Sequence, residues 1–308
     1  MIPLPTATCP TTGTPTAERD CSRPLVLADC LAAWQRDAHH GVFDTGRYRC
    51  RYVVWGRGPA LILVPGMSLD AIGFAMLMAR LQGTFCCISF DLPNGDSDGA
   101  RVRSYHHDDH VADLFSLLDH LSVRECFLLG SSFGSTIGLA AMQAQPERFA
   151  RAILQGSFAR RTLARAEVLA ASFARFLPGR LWHLPFTERV LEQQMKREFL
   201  SRDPALWDFF VELNLKTPLR AFASRALLIH RLDLTPILPT IQQPTLLVCG
   251  DRDPLVCKEC EEELKRGLPH VTRGEIEQCG HFPQLTHPEV LAEVVQQFFA
   301  TPTCESPL

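Results

Sequence analysis

The sequence has no apolar stretch long enough to cross a bilayer; even the run from Ala60 to Val64 stops at Pro65-Gly66. No membrane span is expected. An excess of either charge is also missing, since 31 basic residues stand against 34 acidic ones for a formal charge of −3. A chain so balanced has no reason to attract a polyanion, and nucleic acid is not an expected partner. Met1-Ile2-Pro3-Leu4-Pro5-Thr6 lacks the basic end and apolar segment of a secretory signal, so a cytoplasmic location is expected. A regular cysteine framework is absent as well. The 12 cysteines fall largely inside apolar runs such as Phe85-Cys86-Cys87-Ile88 and Leu247-Val248-Cys249-Gly250, the placement of buried thiols. Cys257 and Cys260 do form a C-x-x-C pair. Without a second ligand pair nearby it reads as one face of a helix instead of a zinc site, and neither metal nor cofactor is expected.

What is present is a long, apolar-rich chain. With 308 residues and 46% in the hydrophobic class, it can bury a large core unaided by metal or disulfides. Residues 1–24 are rich in Pro and Thr and read as a flexible leader. Leu27, Leu31 and Trp34 recur at helical spacing. Tyr48, Tyr52 and Val54 lie in an alternating stretch that suggests a half-exposed strand. Leu61 to Val64 and Phe85 to Phe90 are instead continuously apolar, as in strands covered on both faces. Helical segments at Ala75 to Leu81, His107 to Leu121 and Ser135 to Gln145 alternate with these strands and with strands at Cys126 to Leu129 and Ala152 to Leu154. Right-handed crossovers make such strands parallel neighbours.

After Gly156 this rhythm stops. For some eighty residues the pattern is helical and interrupted by Pro178, Pro185, Pro204, Pro218 and Pro236, and strand character returns only at Thr245 to Cys249 and around Val271. A terminal helix is expected from Glu289 to Phe299. The expected organisation is a leader (1–24), a first core part (25–159), a helical lid insertion (160–239), a second core part (240–299) and a flexible tail (300–308). The fold class is α/β, a mostly parallel sheet flanked by helices.

The chemistry concentrates at Leu129-Gly130-Ser131-Ser132-Phe133-Gly134-Ser135. A Gly-x-Ser-x-Gly placed between a strand and a helix presents its serine on a tight turn, the glycines removing side chains that would collide with the crossing elements. Ser132 then stands at the positive end of a helix, where backbone donors stabilise developing negative charge. A serine hydroxyl needs a base. His281, in Gln278-Cys279-Gly280-His281-Phe282-Pro283, follows the last expected strand and can return over the sheet. For the orienting acid, Asp253 on the loop after Cys249 is preferred to Asp251, which lies close enough to the strand end to satisfy backbone donors.

The order Ser132, Asp253, His281 resembles the nucleophile, acid and base order of the α/β-hydrolase superfamily, in its lid-containing esterase, lipase and epoxide-hydrolase-like branch. The resemblance covers about Tyr48 to Phe299. It implies a structural role for Asp91 in Phe90-Asp91-Leu92-Pro93, and an oxyanion hole formed by the N–H groups of Met67 and Phe133. Proline at position 65 replaces the histidine usual before Gly66. A serine nucleophile argues against the branches that use aspartate. The resemblance implies hydrolysis of a small to medium hydrophobic ester or thioester through an acyl-enzyme. Alternatives are a carbon–carbon bond hydrolase of diketones, a cofactor-free perhydrolase or haloperoxidase-like enzyme, and a non-catalytic ligand-binding protein on the same scaffold. The expected partner is a hydrophobic small molecule, and either a monomer or a homodimer is compatible with the sequence. Phe173, Phe176, Leu177, Leu181, Trp182, Leu184, Phe186, Phe199, Trp207, Phe209 and Phe210 offer apolar surface in the lid. Arg160 and Arg161 could meet a substrate carboxylate, though solvated arginines are the simpler reading.

Overall fold

The structure is a computed structural model and describes residues 25–184 and 187–300. The expected leader (1–24), residues 301–308 of the expected tail, Pro185 and Phe186 lie outside the described residues. Among the described residues eight strands form one sheet: β1 (His39–Asp44), β2 (Arg49–Trp55), β3 (Ala60–Val64), β4 (Cys86–Phe90), β5 (Cys126–Ser131), β6 (Phe149–Gln155), β7 (Thr245–Gly250) and β8 (Val271–Ile276). Their spatial order is β1-β2-β4-β3-β5-β6-β7-β8. The strands from β3 to β8 pair in parallel, and β2 runs antiparallel to both of its neighbours. β1 has no counterpart in the sequence reading. Its residues, His39-His40-Gly41-Val42-Phe43-Asp44, are exposed or half-exposed at the sheet edge and carry little hydrophobic signal.

The helices are α1 (Leu27–Asp37), α2 (Ala75–Leu81), α3 (His107–His120), α4 (Phe133–Ala144), α5 (Arg165–Ala174), α6 (Thr187–Leu200), α7 (Pro204–Leu215), α8 (Leu219–Arg231), α9 (Lys258–Gly267), α10 (Pro283–Thr286) and α11 (Pro288–Ala300). Strand alternation divides the core into two layers, because successive side chains leave opposite faces of the sheet. Leu61, Leu63, Leu129 and Ile153 face Trp34 of α1, Leu77 of α2 and Val295 of α11. Ile62, Val64, Leu128 and Leu154 face Leu114 of α3, Ile137 of α4 and Leu264 of α9. That double cover is why the central strands read as unbroken apolar runs. Among the described residues no helix is long and apolar enough to cross a membrane.

The insertion between β6 and β7 is helical, formed by α5 to α8. Phe199 of α6 and Trp207 and Phe210 of α7 pack with Phe282, just beyond β8, in a third apolar cluster. The Phe210 and Phe282 rings lie 4.8 Å apart. Each fully buried aromatic of this kind contributes about 1.5–3 kcal/mol relative to exposure, so half of the lid is anchored to the loop that carries His281.

Candidate active site

The carboxyl ends of β3, β5, β6, β7 and β8 deliver five loops to one edge of the sheet, the usual place for a site in an α/β fold. Ser132 links β5 to α4 with φ 52° and ψ −116°, a conformation a non-glycine residue holds only under strain of about 1–3 kcal/mol. The turn is over-determined. Ser132 N–H donates to the Gln155 carbonyl at 2.9 Å, and its own carbonyl accepts the Ser135 N–H at 2.9 Å and the Ser135 hydroxyl at 2.6 Å. A Cβ on Gly130 would meet Ser135 Cα at 2.7 Å, and one on Gly134 would overlap the Val64 and Pro65 carbonyls. Phe133 opens α4, so its N–H is among those without an intrahelical acceptor.

Helix α3 braces α4 from behind. The Thr136 hydroxyl donates to the Phe133 carbonyl at 2.7 Å, and His107 Nε2 lies 3.0 Å from that hydroxyl. His110 meets the Phe133 ring edge-on at 5.3 Å. Burial pushes His107 down to about 4 and His110 well below the usual imidazole range, so both are neutral packing groups at neutral pH.

His281 and Asp253 meet beside the end of β6. Asp253 Oδ2 lies 2.7 Å from His281 Nδ1, and the two side chains are 5% and 2% exposed respectively, so the pair is closed from bulk water. Burial alone raises the Asp253 carboxyl. The His281 hydrogen bond and charge, with the N–H groups of Leu255 and Val256 on its other oxygen, outweigh that and hold it below its ordinary value. Asp251 does something else: its Oδ1 accepts the Cys279 N–H at 3.0 Å, while Arg252 N–H donates to the Cys279 carbonyl at 2.9 Å. These bonds tie the acid loop to the histidine loop. Asp91 is likewise a brace, accepting Ala71 N–H at 3.0 Å and Arg51 Nε–H at 2.8 Å.

Several residues that shape the site carry no motif in the sequence. Gln155 sends its amide N–H groups to Ser131 Oγ, the His281 carbonyl and Gln284 Oε1, at 3.2, 3.1 and 2.8 Å. Arg225 of α8, fully buried, donates to the carbonyls of Met67 and Pro93, fixing the loop after β3 on which Met67 lies. Asn214 Oδ1 accepts the Ser68 hydroxyl at 2.6 Å. Gly66 Cα faces Ser132, where an added Cβ would lie 3.6 Å from the serine Cβ. The lid thus holds the segment next to Ser132 as well as the one next to His281. Only the folded chain reveals most of these partners, since His281 and Gln284 lie more than a hundred residues from Gln155, Met67 and Pro93 as far from Arg225, and Ser68 from Asn214.

Glu198 of α6 completes the second attachment. Its Oε1 accepts the Thr286 hydroxyl at 2.6 Å, and that hydroxyl lies 2.9 Å from His287 Nδ1. Glu198, Cys279 and His287 bring one possible ligand atom each within 4.8 Å of one another. The Thr286 hydroxyl bridges the carboxylate and His287 Nδ1, whereas His287 Nε2 is buried without a hydrogen-bond partner.

The lid aromatics divide in two. Phe199, Trp207 and Phe210 are buried packing residues, as is Leu181, whereas Leu169, Phe173, Phe176, Leu177, Trp182 and Leu184 are exposed. A cleft of about 560 Å³ is lined by Trp182, Leu184, Thr187, Glu188, Arg189, Glu192 and Leu215. It lies in the lid, and neither Ser132 nor His281 lines it. Arg160 pairs with Glu263 at 2.8 Å and Asp233 at 3.8 Å, across the base of the insertion.

A family model described as alpha/beta hydrolase fold matches residues 59–288. The chain is 26% identical over 252 residues to an uncharacterized hydrolase, YugF, of Bacillus subtilis, covering 77% of this chain and 89% of that protein. It is 27% identical over 275 residues to a pimeloyl-[acyl-carrier protein] methyl ester esterase of Xanthomonas campestris, covering 80% and 97%. The crystal structure of an enol-lactonase from Burkholderia xenovorans superposes with a TM-score of 0.76 at 20% identity, covering 85% of this chain and all of that one.

Proposed function

Because the chain belongs to the α/β-hydrolase fold family, we propose that it is a serine hydrolase cleaving a small to medium hydrophobic carboxylic ester or thioester. Two observations support the reading: the closed His281–Asp253 pair, 2.7 Å apart, and a strained Ser132 at the start of α4, both on loops at the carboxyl edge of the sheet. Relatives named as a methyl ester esterase and an enol-lactonase support an ester as the bond attacked. In the proposed reaction Ser132 Oγ attacks the acyl carbon while His281 takes its proton. The N–H groups of Met67 and Phe133 stabilise the tetrahedral oxyanion, and the protonated His281 passes its proton to the leaving alcohol or thiol. Water then enters, loses a proton to His281, attacks the acyl-enzyme and releases the acid and Ser132. Asp253 holds His281 with Nδ1–H toward the carboxylate, leaving Nε2 for the serine.

The His281 side chain is 2% exposed and the lid packs on Phe282 beside it, so in this reading substrate enters past the lid. The apolar lid residues are the groups proposed to select the acyl or alcohol portion. Each methylene buried there contributes about 0.8 kcal/mol, about fourfold in kcat/KM while the interaction persists in the transition state. For acetyl, butyryl, hexanoyl and octanoyl p-nitrophenyl esters, kcat/KM is expected to climb and then level. A flat or falling series, from a preparation whose Ser132 is reactive, would contradict hydrophobic selection.

A second expectation follows from Gly156, at the end of β6. A Cβ built there lies 2.7 Å from His281 Cε1, 2.8 Å from Nδ1 and 3.4 Å from Asp253 Oδ2, on a backbone with φ +52°. Gly156→Ala should wedge the imidazole off the carboxylate and lower kcat about 10²-fold, the scale of an ångström misplacement. Steady-state kinetics on a soluble activated ester reads this out; an unchanged kcat would mean that the imidazole position is not critical.

A further inference from the structure

Four residues beyond Asp253, Cys257 caps the N-terminus of α9, and Cys260 sits one turn inside it. Their sulfurs are 3.3 Å apart and Cys260 N–H donates to the Cys257 carbonyl at 3.1 Å, so the first helical turn already brings the two thiols together. Cys257 is exposed and Cys260 half-buried, whereas the other seven described cysteines are buried or half-buried in the sheet and its helices. Cys260 Sγ also faces the Arg160 carbonyl at 4.0 Å, at the base of the insertion. We propose that Cys257 and Cys260 are a redox site, a dithiol that reacts with small disulfides of the glutathione class to close a reversible intramolecular disulfide.

The geometry sets the order of events. Joining the sulfurs requires their separation to fall from 3.3 Å to about 2.05 Å, a movement within the reach of side-chain rotation at the first turn. Burial, followed by the hydrogen bond to Cys257, pushes the Cys260 thiol up to about 12, so it stays protonated and shielded while Cys257 meets the solvent. Cys257 thiolate attacks one sulfur of the small disulfide. That S–S bond breaks, one thiolate leaves with the electron pair and is protonated, and Cys257 carries a mixed disulfide. Cys260 then gives its proton to water and attacks Cys257 Sγ, expelling the second small thiolate. One small disulfide is reduced to two thiols, and the two protein thiols lose two electrons and two protons. The site matters for its place: Asp253 Oδ1 accepts the N–H groups of Leu255 and Val256, and the turn so formed runs directly into Cys257.

The test is thiol mapping on the full chain, folded. Protein is equilibrated with oxidised and reduced glutathione at graded ratios, quenched with iodoacetamide and mapped by peptide mass. The peptide holding Cys257 and Cys260 is expected to lose two hydrogens, to escape alkylation at oxidising ratios, and to regain both thiols with dithiothreitol. Cys260→Ser should stop the reaction at glutathione on Cys257, and Cys257→Ser should slow uptake at Cys260 at least tenfold. Alkylation of both cysteines at every ratio would overturn the proposal. So would glutathione that stays on Cys257 of the parent without closing the ring.

Discussion

Ser132→Ala is expected to lower kcat toward a soluble activated ester by about 10⁶-fold, with KM and melting temperature little changed. The size follows from what alanine removes. The turn at Ser132 is held by backbone bonds to Gln155 and Ser135 that do not involve its own hydroxyl, so the fold and the neighbouring N–H groups survive while the attacking atom disappears. A residual acceleration of about 10³–10⁴ over water should persist, because donors poised for an oxyanion act on direct attack by water as well. Kinetics with circular dichroism and a thermal melt on both proteins separate loss of chemistry from loss of fold. A variant retaining a tenth of parental turnover would show that Ser132 is not the nucleophile.

Asp253→Asn should cost about 10⁴-fold in kcat by comparison with other triad aspartates. An amide can present an N–H to His281 Nδ1, reversing the bond now made at 2.7 Å and favouring the tautomer with the proton on Nε2, which cannot accept from Ser132. Asp251→Asn should be far milder. The amide oxygen can still accept the Cys279 N–H that Asp251 Oδ1 now receives, and the two loops stay tied. Parallel kinetics of both variants give the ranking, and the reverse order would move the acid by two positions.

The sheet was legible in the sequence because its inner strands are buried on both faces, which writes them as the unbroken apolar runs at β3, β4 and β7. β1 was not, since an exposed edge strand needs no hydrophobic pattern and is held by backbone pairing with β2. The positions of Ser132, Asp253 and His281 could be named because each lies at a strand end marked by a glycine or a turn. That Asp253, not Asp251, contacts His281 is a matter of loop shape in the three residues past the strand, which the residue order favours but geometry decides. Arg225, Asn214, Glu198 and Gln155 stayed silent. A buried arginine on a helix reads like any surface arginine until tertiary contact places Met67 against it. Among the lid aromatics the sequence could not separate Phe199 and Phe210, which anchor the insertion, from Phe173 and Phe176, which are exposed, because helical periodicity marks a face and not its partner.

The most direct measurement of the central claim is covalent labelling of folded parent protein with a fluorophosphonate, followed by peptide mapping. Such a probe reacts with a serine whose hydroxyl is activated by a base and whose oxyanion is met by donors. The account predicts stoichiometric modification of Ser132, loss of labelling in Ser132→Ala, and strongly slowed labelling in Asp253→Asn. Absence of label on correctly folded parent across neutral and mildly alkaline pH, or an equal stoichiometry on Ser132→Ala, would contradict it.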